Sequence, residues 1–133
     1  KMAKALETNN SLRKCIMLEW NFSNKGCLAI SNKLKVNKTI ERIGPSDNPI
    51  SDPGCTSLAN MLFFNDTLKE IGLFGNRQMH SRDLFLKTIE NTNFILEDLL
   101  LDSDWDAEMN FYLNLNRVGR RHLLRNEAVT QTE

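Results

Sequence analysis

The residues able to do chemistry in this 133-residue chain are few and scattered. His80 and His122 stand alone, without the spacing of metal ligands or of a triad, and read as surface residues. Cys15, Cys27 and Cys55 are odd in number and contain no CxxC pair, so packing as small hydrophobes is their plainer role. A disulfide or a metal site is the alternative. Glu97, Asp98, Asp102, Asp104, Asp106 and Glu108 form an acidic run, followed by Arg117, Arg120, Arg121 and Arg125. A divalent cation or a basic partner could use the acids. An anionic partner could use Arg117, Arg121 and Arg125, which are four apart and would share a helix face. A solvated face with its counter-charges accounts for both runs more simply. No phosphate loop, nucleophile elbow or paired-carboxylate site is recognisable. The chain therefore reads as no enzyme, with no catalytic, cofactor-binding or metal residue.

These side chains hang on a repeat. Asn9, Asn37, Asn65 and Asn93 recur every 28 residues, and Leu12, Ile40, Leu68 and Leu96 keep that interval three residues later. Four copies in register signal stacked supersecondary units. The clearest unit carries Ile40, Ile43, Pro45, Asn48 and Ile50 in the pattern LxxLxLxxNxL and closes on Gly54. Repeat one reads Leu12, Cys15, Met17, Trp20, Phe22 and Gly26. Trp20 stands where the pattern has Asn, so its turn is held in another way or Trp20 faces a partner. Pro45 lacks the N–H a strand ladder needs, so the second strand should be short or end near Gly44. Repeat three, with Leu68, Ile71, Leu73 and Asn76, is regular until Gln78 and Arg82. Repeat four, with Leu96, Leu99, Leu101 and Asp104, departs at Trp105 and Asp106. The sequons at Asn9, Asn21, Asn37 and Asn65 mostly coincide with the repeat, which already explains them.

Between the strands, apolar residues four apart predict helices. Met2, Ala3 and Leu6 match Ile30, Ser31 and Leu34, then Leu58, Ala59 and Leu62. Asn9, Asn37 and Asn65 follow these helices and suit left-handed C-caps. Over 107–125 the pattern predicts one longer capping helix with Met109, Tyr112, Leu113, Leu123 and Leu124 inward, and Asp104 or Asp106 as its cap. The repeats then occupy 1–106, and 126–133 is a polar tail. The first unit shows no polar cap, so a longer parent upstream is expected.

Seventeen basic and seventeen acidic residues cancel, leaving no global field toward nucleic acid or an anionic membrane. The longest apolar runs, Met61–Phe64 and Leu99–Leu101, are too short to span a bilayer. No signal-peptide pattern opens the chain. Three free thiols lean toward a reducing compartment, the cytoplasm.

The repeated pattern resembles the leucine-rich repeat of the ribonuclease-inhibitor type. Phrases such as Ala5-Leu-Glu-Thr-Asn-Asn-Ser-Leu12 look like repeats of nucleotide-binding innate immune receptors. They look equally like the C-terminal domain of tropomodulin, an actin pointed-end capper, and the GTPase-activating protein for Ran uses similar units. The resemblance implies an α/β solenoid of about four 28-residue units, with a parallel sheet on the concave face, helices on the convex face and a C-terminal capping helix. Side chains between the core leucines would then form three concave rows: Lys14, Arg42, Glu70 and Asp98; Ile16, Gly44, Gly72 and Leu100; Leu18, Ser46, Phe74 and Asp102. The expected partner-binding residues are Ile16, Leu18, Trp20, Arg42, Glu70, Phe74, Asp98, Leu100 and Asp102, because apolar surface on a solvated face marks a partner site. Packing of one or two of them against neighbours is the alternative. The expected function is a non-enzymatic protein-recognition module of a larger receptor or scaffold, binding another protein, with oligomeric state open. An actin-regulatory module and a GTPase-regulating protein are the alternatives.

Overall fold

The core positions of the second to fourth repeats close up as the pattern predicts. Ile40, Ile43, Ile50, Leu68, Ile71, Leu73, Leu96 and Leu99 are at most 1% exposed. Full burial of each such side chain stabilises by roughly 1.5–3 kcal/mol. A computed structural model describes residues 2–76, 81–102 and 107–124. Its helices and strands alternate: α1 (Met2–Thr8), β1 (Lys14–Ile16), α2 (Asn24–Leu34), β2 (Arg42–Gly44), α3 (Asp52–Leu62), β3 (Glu70–Gly72), α4 (Arg82–Asn91), β4 (Asp98–Leu100) and α5 (Ala107–Arg117). The strands form one parallel sheet in chain order, with Lys14, Arg42, Glu70 and Asp98 in register. This is the expected leucine-rich-repeat solenoid. Repeat one is looser, since Cys15 is only half-buried and Leu12 is 36% exposed.

Each helix buries the face its spacing predicts: Cys27, Ile30, Ser31 and Leu34 on α2, and Cys55, Leu58, Ala59 and Leu62 on α3. Asn24 links these two helices. Its Oδ1 accepts from the amides of Ser51 and Gly54 at 2.9 and 3.1 Å, capping α3 from the neighbouring repeat. Gly54 is required by that approach, because a Cβ there would lie 2.6 Å from Asn24 Oδ1.

Pro45 acts as expected. Met17 N donates to Gly44 O at 2.9 Å and Leu73 N to Leu100 O at 2.8 Å, but Pro45 has no N–H for the equivalent bond between them. Accordingly β2 and β3 share two register pairs where the flanking pairings have three.

The ladder asparagines differ from expectation. Among the described residues, the non-glycine positions with positive φ are Glu19, Asn21 and Asp47, so Asn9, Asn37 and Asn65 are not left-handed caps. Their side chains bond instead. Asn65 Oδ1 accepts from Thr67 N and Leu68 N at 2.9 and 2.7 Å, and its Nδ2 donates back to Leu34 O at 2.6 Å and Asn37 O at 3.3 Å. Asn93 repeats the arrangement one unit later, donating to Leu62 O and Asn65 O at 2.9 and 3.1 Å. The asparagines thus staple consecutive units through buried backbone groups that must find partners.

The helix expected over 107–125 is also shorter. α5 stops at Arg117, Gly119 takes φ +89°, and a helical turn resumes over 120–124. Met109 and Leu113 are buried and Tyr112 is half-buried, but Leu123 and Leu124 are 51% and 43% exposed because the glycine turns them away from the core. α5 nonetheless continues the stapling. Asn116 Nδ2 donates to Asn93 O and Leu96 O at 3.1 and 2.7 Å, and the buried Arg120 donates to Ile89 O. Gln78, His80, Asp104, Trp105, Asp106, Arg125 and the tail 126–133 lie outside the described residues.

Candidate protein-binding site

The concave face carries a row of charges across the starts of all four strands, Lys14, Arg42, Glu70 and Asp98, and its apolar residues toward and beyond the strand ends. The apolar set begins with Ile16, 45% exposed, whose Cδ1 would lie 2.8 Å from a Cβ at Gly44. The absent side chain at Gly44 therefore lets Ile16 lie across β2. Leu18 and Trp20 follow on the turn after β1, 50% and 59% exposed. Phe74 occupies the same row as Leu18 two strands away, about 10 Å at ordinary strand spacing, and is 43% exposed. Leu100 is half-buried.

The turn that carries Leu18 and Trp20 is pinned. Glu19 and Asn21 take φ of 54° and 52°, and Asn48 reaches back from the second repeat to hold them. Its Nδ2 donates to Met17 O at 2.6 Å and its Oδ1 accepts from Phe22 N at 2.7 Å. Asn76 does the same for the next turn, donating to Pro45 O at 2.9 Å. The asparagine of this position thus ties the turn before its own to its own turn, where Asn48 also donates to Ser46 O and Asn76 to Leu73 O. The first turn is held without an asparagine at position 20, and the indole of Trp20 projects into solvent on a fixed backbone.

Three members of the charged row are paired. Arg42 pairs with Glu70 at 3.5 Å, and Asp98 pairs with Arg117 of α5 at 2.7 Å. Each pair is substantially exposed and contributes little to stability. Asp102 accepts from Gly75 N through both carboxylate oxygens at 2.9 Å. These acids therefore orient the rim rather than present unpaired charge. Arg117 joins this row as a fifth member. The sequence offered Arg117 as a counter-charge to the acidic run, but not Asp98 as its partner, because the arginine comes from a helix 19 residues away and off the repeat interval.

The three cysteines are core residues. Burial pushes the Cys27 and Cys55 thiols up to about 12, with a smaller contribution from Cys55 and Asp52 respectively, and burial also raises Cys15. Such thiols stay protonated and act as core. Among the described residues, no three His, Cys, Asp or Glu side chains gather as metal ligands, and no helix is long and apolar enough to cross a membrane. Reading the repeat alone missed exposed apolar residues on the convex side: Val36 at 74%, Phe63 at 48% and Phe64 at 65%, with Lys35 Nζ 5.3 Å from the Phe64 ring. They occupy the ends of α2 and α3, where the core pattern has already run out.

No protein-family model and no curated protein matches the chain by sequence. Solved structures match by fold. The structure described as leiomodin-1 actin-binding site 2 aligns with TM-score 0.81 at 22% identity, over 98% of this chain and 78% of that one. The tropomodulin C-terminal domain of Caenorhabditis elegans aligns with TM-score 0.58 at 12% identity, over 96% of each chain. At these identities the likeness establishes a shared leucine-rich-repeat-like fold. The ribonuclease-inhibitor class and the likeness to innate immune receptors rest on sequence phrases alone.

Proposed function

We propose that this chain is a non-enzymatic protein-recognition module that binds a partner protein through its concave face. The observation that carries the reading is that Ile16 on β1, Leu18 and Trp20 on the turn after it, and Phe74 on the turn after β3 are each 43–59% exposed. Apolar and aromatic anchors ringed by polar residues are the usual composition of a binding centre. Arg42, Glu70, Asp98 and Asp102 supply the rim, and half-buried Leu100 supports it. Their paired charges favour one docking orientation more than they add affinity. Three free thiols support a reducing, cytoplasmic setting. A Leu18→Ser/Phe74→Ser variant tests the reading: the folded variant should lose at least about tenfold in affinity for any partner captured by the wild type.

Actin is the specific partner to try. The observation favouring it is the alignment of 98% of this chain with a structure described as an actin-binding site. Cosedimentation with actin filaments and a filament elongation assay decide this reading. Absence of both binding and any change in elongation removes actin and leaves the broader proposal in place.

A further inference from the structure

We infer that the chain has a second protein-binding site, a groove at the C-terminal end of the solenoid that takes an extended acidic segment of a partner. The groove has a volume of about 390 Å³, and Lys69, Glu97, Asn116, Arg117, Arg121 and His122 are among its walls. Lys69 directly precedes β3 and Glu97 directly precedes β4. The groove therefore lies at the opposite end of the strands from Leu18, Trp20 and Phe74, and stands independently of the concave face.

Two observations point to the occupant. The first is charge. Arg117 is committed to Asp98 and to the Glu97 carbonyl, at 2.7 and 3.2 Å. Among the described residues neither Lys69 nor Arg121 has an ion-pair partner, and both are exposed. Glu97 is the acid among the walls named, so the groove favours negative charge.

The second is an orphaned acceptor. Asn116 is 5% exposed and its Nδ2 is satisfied, but among the described residues its Oδ1 has no partner. The four preceding ladder asparagines show what this oxygen takes. Each accepts from two consecutive backbone amides of the segment entering the next strand: Ser11 and Leu12 at 3.0 and 2.7 Å, Thr39 and Ile40 at 2.9 and 2.8 Å. Thr67 and Leu68 do so at 2.9 and 2.7 Å, and Ile95 and Leu96 at 3.1 and 2.8 Å. After Asn116 the chain turns aside at Gly119, and the amides of Val118 and Gly119 go to Asn114 O and Asn116 O. The acceptor is thus placed to receive the backbone of an incoming extended chain, in a basic groove. A buried amide oxygen without a donor is unfavourable, so a backbone N–H delivered there is rewarded.

The probe is an acetylated, amidated octapeptide of alternating Glu and Ser, whose carboxylates share one face when extended. The controls replace Glu by Gln, replace Glu by Lys, or N-methylate the central amides. In NMR titrations of the uniformly ¹⁵N-labelled 133-residue chain, the acidic peptide should shift the amides of Lys69, Glu97, Gly119 and His122 and the side chain of Asn116. Lys69→Gln/Arg121→Gln changes two exposed residues and should weaken binding by about three- to tenfold in a folded protein. N-methylation should remove the Asn116 shift, and added salt should weaken binding. Equal binding of the Gln or Lys peptide, shifts confined to other surfaces, or no shift at several millimolar peptide would overturn the proposal. So would binding that emerges only after deletion of 126–133, since the groove would then serve the chain's own tail.

Discussion

A single asparagine of the ladder joins three chain segments, and its value depends on how many of those segments surround it. Asn65 is 3% exposed and holds four backbone groups, so Asn65→Ala leaves buried amides and carbonyls without partners. Urea denaturation should show a loss of about 3 kcal/mol. Asn9 is exposed and holds only local amides, so Asn9→Ala should lose under about 1 kcal/mol. The recurrence of these residues was legible in the sequence, but their work was not. A 28-residue interval shows that a position matters, while its bonds to Leu34 O and Asn37 O exist only once the units stack. The thiols give a pH prediction at the same scale. Cys27 and Cys55 are pushed up to about 12 in the folded chain from an ordinary 9.0. Below the ordinary value both states hold these protons and stability is unaffected. Between about pH 9 and 12 the unfolded chain sheds protons that the native chain keeps, so stability falls as pH rises. Urea midpoints at pH 7 and 10 should therefore diverge less in Cys27→Ala/Cys55→Ala than in the wild type.

At the scale of elements, the helices were read correctly where periodicity alone sets them and misread where a turn decides. Gly119 ends the C-terminal helix, and the segment Val118-Gly119-Arg120 offered that stop signal in the sequence. The four-residue spacing of Arg117, Arg121 and Arg125 argued the other way, for a single face. The break is what frees Arg120 to reach Ile89 O while Arg117 reaches Asp98. Gly119→Ala forces a side chain into φ +89° and should destabilise the cap by roughly 1–2 kcal/mol, seen as faster amide exchange in α5. The capping of α3 by Asn24 was equally hidden, because it crosses from one repeat to another. Asn24→Ala should destabilise by about 1 kcal/mol in urea denaturation.

At the scale of the whole molecule, the stacking period was legible and the distribution of the concave face was only half so. The three rows follow from the pattern; the strand register aligns the first in full and joins Ile16 to Gly44 and Gly72 to Leu100 in the second, while the third lies beyond the strands. The arginines were legible as counter-charges to the acidic run, but the particular pair of Arg117 with Asp98 was not, since its helix leaves the repeat. The result is a sheet face with a charged row along the strand starts and exposed apolar residues toward the strand ends. The proposed recognition centres on Leu18, Trp20 and Phe74 beyond those ends. The most direct test is a capture experiment from native extract with three proteins: the wild type, Leu18→Ser/Trp20→Ser/Phe74→Ser, and the convex control Val36→Ser/Phe64→Ser, each first shown to be folded by its unfolding transition. The account predicts a partner retained by the wild type and the convex control and lost by the concave variant. A partner that the concave variant keeps and the convex control loses would contradict it.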